Sequence, residues 1–337
     1  MFASRTLFAL STLVVSAFGA TYTQTDSHQG SGFLKSFTHQ AIADPTHGRV
    51  NYVDQTTALA QNLTFSSGDH FVIRADDTTV LSASGPGRNS VRLQSNKQYT
   101  THVTVWNIRH MPQGCATWPA LWEVGADWPN QGEIDVLEGV NDQSPNQSTL
   151  HTSSGCSMPA SRSQTGTSGS NNCDVAATNN AGCGVTANKA NSYGPGFNNA
   201  GGGWYAMERT TSFIKVWFWS RTDGSVPSDV LNGATSINTD NWGTPYAFFP
   251  SQSCDLNSHF GEHNIIINLT LCGDWAGAVF NQDGCSGNCV GKHSRRAPPT
   301  WAHPLIATRL CIPDFVNNNP SAFTNAFFDI QWLKIYG

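Results

Sequence analysis

The sequence carries little charge. Asp, Glu, Lys and Arg make up 12% of the 337 residues, whereas they make up about 25% of an average protein. The formal net charge is −5, and basic residues cluster only in one segment near the C-terminus. Because nucleic-acid binding needs a basic surface, we expect no nucleic-acid partner.

Long apolar runs are missing as well, apart from one at the N-terminus. There Arg5 precedes an apolar run over residues 6–15, and the small residue Ala17 follows. A membrane-spanning helix needs about 20 apolar residues, so this run is too short for an uncleaved anchor. We predict a signal peptide over residues 1–19 and a mature chain that begins at Ala20. We therefore expect a secreted, extracellular monomer with no membrane partner.

Two kinds of motif are also absent. The chain has no G-x-S-x-G and no H-E-x-x-H sequence, which argues against a serine hydrolase and a zinc protease. None of the nine cysteines is spaced with histidine as in a zinc finger, so we expect no metal and no cofactor. Disulfides are the default in a secreted protein, and four bridges would leave one cysteine over. The spacing leaves their pairing open.

Short β-strand signals are what the chain has in abundance. Runs rich in Val, Ile, Phe, Tyr, Trp and Thr recur between turn residues. Examples are HFVIRA, SVRLQS, THVTVWNI, SFIKVWFW, NIIINLTL and DIQWLKIY. We predict an all-β fold, with one β-sandwich domain over residues 20–337. Residues 156–203 are rich in Ser, Thr, Asn and Gly but hold three cysteines. They predict a surface loop stapled to the body rather than a linker.

The stretch GEIDVLEGVND, residues 132–142, carries the strongest chemical signal. Glu133, Asp135 and Glu138 interrupt what is otherwise the pattern of a buried strand. Side chains alternate between the two faces of a strand, so Glu138 falls out of phase with the other two acids. A β-bulge across Val136 and Leu137 restores the phase, and bulges often re-aim side chains next to active sites.

Two glutamates on one face indicate a glycosidase. A retaining enzyme needs its two carboxyl groups about 5–5.5 Å apart, whereas four pleat steps span roughly 13 Å. We therefore predict a curved sheet with its concave face open to solvent. One glutamate would attack the anomeric carbon while the other protonates the leaving oxygen. Alternation alone does not tell which glutamate has which role.

Two other interpretations compete with catalysis. Three acids in six residues could form a solvated strand face or half of a calcium site. A solvated face is disfavoured because Ile134, Val136 and Leu137 need burial on the other side. A calcium site is disfavoured because the spacing matches no EF-hand loop.

The sequence EIDVLE resembles the E-x-D-x-x-E signature of glycoside hydrolase family 16, in the bulged form of its laminarinase-like members. The similarity to secreted fungal endo-1,3(4)-β-glucanases covers nearly all of the mature chain. It includes HMPQGCATWPALWEVGADWPNQGEIDVLEGVNDQSPN, LHTSSGC, NSYGPGFNNAGGGWYAMERT, NTDNWGTP and INLTLCGDWAG. The resemblance implies a concanavalin A-like β-jelly-roll sandwich with a concave substrate cleft. It also implies Glu133 as nucleophile, Asp135 as assisting acid and Glu138 as acid/base.

Five more residues are expected to bind substrate. The resemblance puts three tryptophans at sugar-binding subsites: Trp122, Trp128 and Trp275. An aromatic ring suits the apolar face of a pyranose. The resemblance also implies that His151 reaches the sugar next to the cut bond, although a lone strand histidine is more often structural. Arg92 alternates with apolar neighbours, so it either donates to sugar hydroxyls or pairs with an acid. We assign Trp118 to the core.

Three N-glycosylation sequons occur, at Asn62, Asn146 and Asn268. We predict that Asn62, which precedes the turn sequence SSGD, carries the sugar. Asn268 lies inside a strand signal and is expected to be less accessible.

Residues 291–313, GKHSRRAPPTWAHPLIATRLCIP, do not resemble the family. They hold four Lys or Arg, no acids and the odd cysteine Cys311. We hypothesise a retained intron, because Gly-Lys can be encoded by GGTAAG, which contains a splice donor, and Pro-Asp by CCAGAC, which contains an acceptor. Its 23 codons would make 69 nucleotides. A genuine basic surface loop is the alternative.

The sequence thus predicts a secreted retaining endo-β-glucanase. Its expected partner is a β-glucan polysaccharide: a β-1,3-glucan, including mixed β-1,3/1,4 and branched β-1,3/1,6 chains. One alternative is a transglycosylase of the same family, although such relatives more often carry the unbulged E-x-D-x-E. The other is an inactive, lectin-like glucan binder, which has no need for both glutamates.

Overall fold

The computed structural model describes residues 20–290 and 314–337. These residues form nineteen β-strands and eight short α-helices. The strands are β1 Thr21–Gln29, β2 Phe37–His39, β3 Val50–Tyr52, β4 Thr64–Ser67, β5 His70–Arg74, β6 Arg88–Ser90, β7 Arg92–Tyr99, β8 His102–His110, β9 Thr117–Gly125, β10 Glu133–Glu138, β11 Gln147–His151, β12 Thr167–Ser168, β13 Cys183–Thr186, β14 Gly203–Arg209, β15 Phe213–Ser220, β16 Ser236–Asn238, β17 Ala247–Pro250, β18 His263–Leu271 and β19 Phe327–Tyr336. The helices are α1 Phe33–Ser36, α2 Gln55–Ala60, α3 Val175–Thr178, α4 Gly194–Asn199, α5 Ser228–Leu231, α6 Leu256–His259, α7 Gly273–Val279 and α8 Phe315–Asn318.

Two antiparallel sheets form a sandwich, as the strand signals predict. The front sheet has eight strands in the order β12-β13-β11-β10-β9-β18-β7-β2. The back sheet has nine, in the order β16-β1-β19-β8-β14-β15-β17, with β5 and β4 added beside β19. Strands β3 and β6 form a small parallel pair. The all-β prediction is confirmed, and the arrangement matches a jelly roll.

The main core lies between the two sheets, and strand alternation explains its membership. On β18, Ile265 and Ile267 face this core with no exposed surface, and Ile134 on β10 joins them. Each such side chain contributes about 1.5–3 kcal/mol when fully buried. The front sheet is therefore anchored by one face, which leaves the other face for polar and aromatic residues.

The back sheet buries both of its faces. Along β15, Val216 and Phe218 belong to the main core, whereas Trp217 and Trp219 belong to a second cluster on the opposite face. Trp242 packs edge-on against both of these tryptophans. Six of the ten tryptophans in the described residues are buried.

Four disulfides use all eight cysteines of the described residues. They are Cys115–Cys285, Cys156–Cys254, Cys173–Cys183 and Cys272–Cys289. Cys156–Cys254 ties residues 156–203 to the body, as predicted, whereas Cys173–Cys183 closes a bridge inside that segment. That segment is not only a loop, however, because β13 inside it pairs with β11 and extends the front sheet. The alternating Cys-Gly-Val-Thr sequence of β13 is too short to stand out in a low-complexity stretch.

The two ends that flank residues 291–313 lie beside each other. Asn288 and Asp314 form a β-bridge. The backbone N–H of Phe315 donates to the Asn288 carbonyl at 2.8 Å, and that of Val316 donates to the Cys289 carbonyl at 3.3 Å. The segment itself, with Cys311, and the predicted signal peptide lie outside the described residues.

The α-helices are all short, and the longest, α7, has seven residues. Within residues 20–290 and 314–337, no helix has the length and apolar character needed to cross a membrane.

Candidate active site

Strand β10 contains the predicted bulge. Against β9, Asp135 pairs with Trp122 and Leu137 pairs with the next residue, Leu121, so Val136 is the extra residue. Against β11, the register likewise shifts between Asp135 and Glu138. The position of the bulge, across Val136-Leu137, is confirmed.

The bulge puts the three acids on the outer face of the front sheet. Val136 and Leu137 are consecutive, yet both are buried in the main core, as is Ile134. Because two neighbours point inward, the phase of the strand changes and Glu138 turns to the same side as Glu133 and Asp135. Asp135 is 2% exposed, and the two glutamates are half-buried.

Crowding and burial keep protons on this group. Burial raises the pKa of Glu133, Asp135 and Glu138, each to about 8. The charge of Asp135 raises the pKa of both glutamates further, while His151 lowers it. Three neighbouring carboxyl groups with raised pKa values share protons near neutral pH, so one can act as an acid while another stays ionised.

His151 lies on β11 directly opposite Glu133. Its Nε2 atom is 3.3 Å from Oδ2 of Asp135, and both side chains are buried. His151 thus lies beside the middle acid of the group. Its predicted contact with the sugar stays a prediction.

Trp118 does not lie in the core, and its assignment there was wrong. It is half-buried, its Nε1 atom donates to Oε1 of Glu138 at 2.8 Å, and its ring meets Trp275 edge-on at 5.7 Å. The sequence could have shown this. Trp118 precedes Trp122 by four residues on β9, and side chains an even number of residues apart lie on the same face of a strand.

Trp122 is fixed by polar neighbours on the same face. Its Nε1 atom donates to Oδ1 of Asn268 at 2.7 Å, and the Arg92 guanidinium lies 4.8 Å from its ring centroid. Arg92 faces away from the core as alternation predicts, and its Nε atom donates to Gln40 at 2.8 Å. Of the two roles considered for Arg92, its side chain pairs with no acid among the described residues.

Trp128 lies beside Glu133, and Trp275 lies beside Trp118. Trp128 is 44% exposed, and its indole lowers the pKa of Glu133. Trp275, near the start of α7, is half-buried against Trp118, the partner of Glu138. Each glutamate thus has its own tryptophan beside it.

The site also contains possible metal ligands, which are the carboxylate oxygens of Glu133 and Asp135 and an imidazole nitrogen of His151. One ligand atom from each lies within 4.8 Å of the others, and two carboxylates with an imidazole suit a transition metal. A cation here would occupy two carboxylates of the family signature. The expectation of no metal stays a prediction.

The three sequons differ in the folded chain. Asn62 is exposed, as predicted. Asn268 is 6% exposed and holds Trp122, and Asn146 is fully buried. Asn268 supports Trp122 and Asn146 supports the backbone of Glu138, roles that their sequon patterns do not indicate.

Comparisons with known proteins agree with this geometry. The family model described as "XgeA-like, catalytic GH16 domain" matches residues 37–336. Laminarinase 16A from Phanerochaete chrysosporium, solved with 6-O-glucosyl-laminaritriose in its donor and acceptor sites, is 60% identical with a TM-score of 0.86, covering 94% of this chain and 100% of that one. A solved elongating family 16 β-1,3-glucosyltransferase is 38% identical with a TM-score of 0.79, at the same coverage.

A curated relative points the same way. A probable endo-1,3(4)-β-glucanase of Neosartorya fischeri is 39% identical over 318 residues, which is 94% of this chain and 46% of that protein. The chain spans between 42% and 69% of the length of the curated fungal relatives that it matches. The family model covers almost the whole described chain, and the bulged strand carries the acids of the family signature. The chain therefore belongs to glycoside hydrolase family 16.

Proposed function

We propose that this glycoside hydrolase is a retaining endo-β-1,3-glucanase with Glu133 as nucleophile and Glu138 as acid/base. The supporting observation is the register shift after Asp135, which brings both glutamates to one face of β10. Retention needs two carboxyl groups on the same site that take these two roles in turn.

In the first step, Glu138 gives its proton to the leaving glycosidic oxygen as Glu133 attacks the anomeric carbon. Burial raises the pKa of Glu138, so it holds the proton near neutral pH. The C–O bond to the leaving sugar breaks, and a covalent bond forms between the glucosyl unit and a Glu133 oxygen.

In the second step, Glu138 takes a proton from water, which attacks the anomeric carbon and releases Glu133. Glu133 and Glu138 repel each other as anions, and the ester on Glu133 removes that charge. The pKa of Glu138 falls as a result, so the ionised form needed for base catalysis becomes accessible. Asp135, whose Oδ2 atom lies 3.3 Å from Nε2 of His151, stands between the two glutamates and raises both of their pKa values.

Five side chains are proposed to bind the glucan. Trp122, Trp128 and Trp275 offer rings for the apolar faces of sugar units, and His151 and Arg92 offer N–H donors. The laminarinase relative binds a β-1,3-glucan with a 6-O-glucosyl branch. We therefore extend the proposed substrate class to branched β-1,3/1,6-glucans and to mixed-linkage chains.

The decisive experiment is proton NMR of the purified protein acting on laminarin, followed at the anomeric signals from the earliest times. The expected result is new reducing ends that form first as the β-anomer and are absent with Glu133→Ser. Ends that form first as the α-anomer would mean inversion and would contradict the roles given to the two glutamates.

Transglycosylation is a second candidate, because the glucosyltransferase relative shares 38% of the sequence and the fold. In that case a sugar hydroxyl replaces water in the second step. Mass spectrometry of products from laminariheptaose separates the two. Products longer than the substrate as the main early species would favour transfer, and shorter products alone would favour hydrolysis.

Secretion and glycosylation at Asn62 remain proposals supported by four disulfides and by the exposure of that side chain. We expect protein secreted from a fungal host to lose mass on endoglycosidase treatment, and Asn62→Gln to remove that loss. An unchanged wild-type mass after treatment would contradict glycosylation.

We also propose that residues 291–313 are a retained intron. If Val290 were bonded directly to Asp314, the bonds from Phe315 to Asn288 and from Val316 to Cys289 would be helical bonds between residues four apart, leading into α8. The eight described cysteines are also fully paired without Cys311. Sequencing the mature transcript tests this: a message that still encodes SRRAPPTW contradicts it.

A further inference from the structure

The bulge in β10 leaves a buried carbonyl that needs support. Val136 is 1% exposed, and the extra residue of a bulge loses its regular ladder partners. A buried carbonyl without a donor costs free energy comparable to a lost hydrogen bond. Three side-chain donor atoms lie within hydrogen-bond distance of the Val136 carbonyl: Asn146 Nδ2 at 3.0 Å, Ser148 Oγ at 2.8 Å and Tyr246 Oη at 3.1 Å.

These three side chains, which we call the bulge network, also bond to one another. Asn146 Nδ2 donates to the Tyr246 hydroxyl at 2.9 Å. The Ser148 and Tyr246 hydroxyls also lie within hydrogen-bond distance of each other. Each has one hydrogen, so one of the two donates to the other, and the other donates to the Val136 carbonyl. All three residues are buried. A fully satisfied buried network of this kind fixes one arrangement of the backbone.

The network reaches Glu138 itself. Asn146 Oδ1 accepts the backbone N–H of Glu138 at 2.9 Å, while its Nδ2 atom holds the Val136 carbonyl two residues earlier. One side-chain amide thus bridges both ends of the bulge. Asn146 immediately precedes β11, so its amide stands where ladder bonds from β11 are interrupted.

Tyr246 connects the bulge to the opposite sheet. It immediately precedes β17, and its backbone N–H donates to the Val216 carbonyl of β15 at 3.0 Å. The back sheet therefore holds the Tyr246 hydroxyl against β10 through the core. The bulge is supported from two directions, along the front sheet and across the sandwich.

We propose that Asn146, Ser148 and Tyr246 are positioning residues for the acid/base Glu138. Their bonds keep β10 in the bulged register, without which alternation would turn Glu138 away from Glu133. Glu133 and Asp135 precede the bulge and keep regular pairing, so loss of the network should impair acid catalysis and spare the nucleophile. This inference rests on the proposed function, which assigns the acid role to Glu138.

The test compares kcat/KM for two substrates. Laminarin has a sugar leaving group that needs protonation, whereas 2,4-dinitrophenyl β-laminaribioside has a leaving group that departs without it. General acid catalysis is worth about 10²–10⁴-fold. We expect Asn146→Ala and Tyr246→Phe to lower kcat/KM for laminarin on the order of 10- to 100-fold, and to lower it for the dinitrophenyl substrate less than about 3-fold.

Two reference variants complete the experiment. Glu138→Ala removes the acid. Its losses of kcat/KM on the two substrates give the largest difference that the network variants could produce. Tyr336→Phe is the matched control, because Tyr336 is also buried and donates to one carbonyl, that of Ala234, at 3.0 Å, away from the bulge. Ser148→Ala provides a milder change if Asn146→Ala folds poorly, and thermal melting checks each variant.

The outcomes distinguish the positioning role of the bulge network from the acid role of Glu138. Equal losses on both substrates in the network variants, or no loss, would overturn the positioning role while Glu138→Ala still shows its difference. If Glu138→Ala itself lowers both substrates equally, the acid role in the proposed function fails, and the inference fails with it. A laminarin-selective loss in the network variants, absent from Tyr336→Phe, supports it.

Discussion

The two halves of β10 are held in different ways. In the straight half, Glu133–Asp135, each residue has a partner in regular register on both β9 and β11. In the bulged half, Val136–Glu138, side chains of the bulge network replace part of that ladder. The nucleophile thus depends on pairing between neighbouring strands, whereas the acid/base depends on Tyr246, which is 110 residues from Val136.

The largest expected effect comes from the straight half. Glu133→Ala should lower kcat/KM by at least about 10⁴-fold on both laminarin and the dinitrophenyl substrate, because both need the nucleophile. Added azide should restore turnover of the dinitrophenyl substrate and give the α-glycosyl azide, whereas Glu138→Ala should give the β-glycosyl azide. The exposed Glu262→Ala is the control. The same azide anomer from both glutamate variants would contradict the separation of roles.

A smaller loss of activity is expected for Asp135, where the two halves of β10 meet. Asp135→Asn should lower kcat for laminarin on the order of 100-fold. It removes a negative charge that raises the pKa of Glu138, so the pKa of Glu138 falls and the alkaline limb of the kcat/KM profile moves to lower pH. A limb that stays in place or moves upward would show that Asp135 does not act on the acid.

The two tryptophans beside the glutamates should affect opposite limbs of the pH profile. Trp118 lowers the pKa of Glu138, and Trp128 lowers that of Glu133. Trp118→Phe should therefore raise the pKa of the acid and move the alkaline limb upward. Trp128→Phe should raise the pKa of the nucleophile and move the acidic limb upward. We expect activity losses of about 10-fold or less. A shift of the same limb in both variants would contradict the assignment of Trp118 to Glu138 and of Trp128 to Glu133.

The smallest effect is on stability. The pKa of Glu138 is about 8 in the folded chain against 4.5 ordinarily, so the folded state retains a proton that the unfolded state releases. The stability associated with that proton is fully present below about pH 4.5 and is lost as pH rises toward 8. Glu138→Gln should raise Tm relative to wild type at pH 8, by about 2–4 °C, and leave it unchanged at pH 4. An equal difference at both pH values, or an effect from the control Glu262→Gln, would contradict this.

Alternation made much of the site predictable. The sandwich, the bulge position and the outward direction of Arg92 all follow from a period of two residues, which depends only on local sequence. The same period would have put Trp118 with Trp122, but the general expectation that most tryptophans are core residues favoured the core assignment, which was wrong.

The support of the bulge could not be predicted in this way. Alternation tells which face a side chain occupies but not which distant segment it meets. Tyr246 approaches from the other sheet, and Asn146 and Asn268 show only sequon patterns in the sequence. Their roles arise because buried polar atoms need partners, and those partners exist only once the sandwich is assembled.

The buried side chain of Asn146 has a consequence for biosynthesis. Its Nδ2 atom, where a glycan would be attached, is the atom that holds the Val136 carbonyl. On a chain that enters a secretory pathway, this sequon is open to the transferase only before the sandwich closes. A molecule modified there cannot form the bulge network. If the chain is secreted, the active fraction of a preparation depends on whether the sandwich folds before sugar is transferred to Asn146.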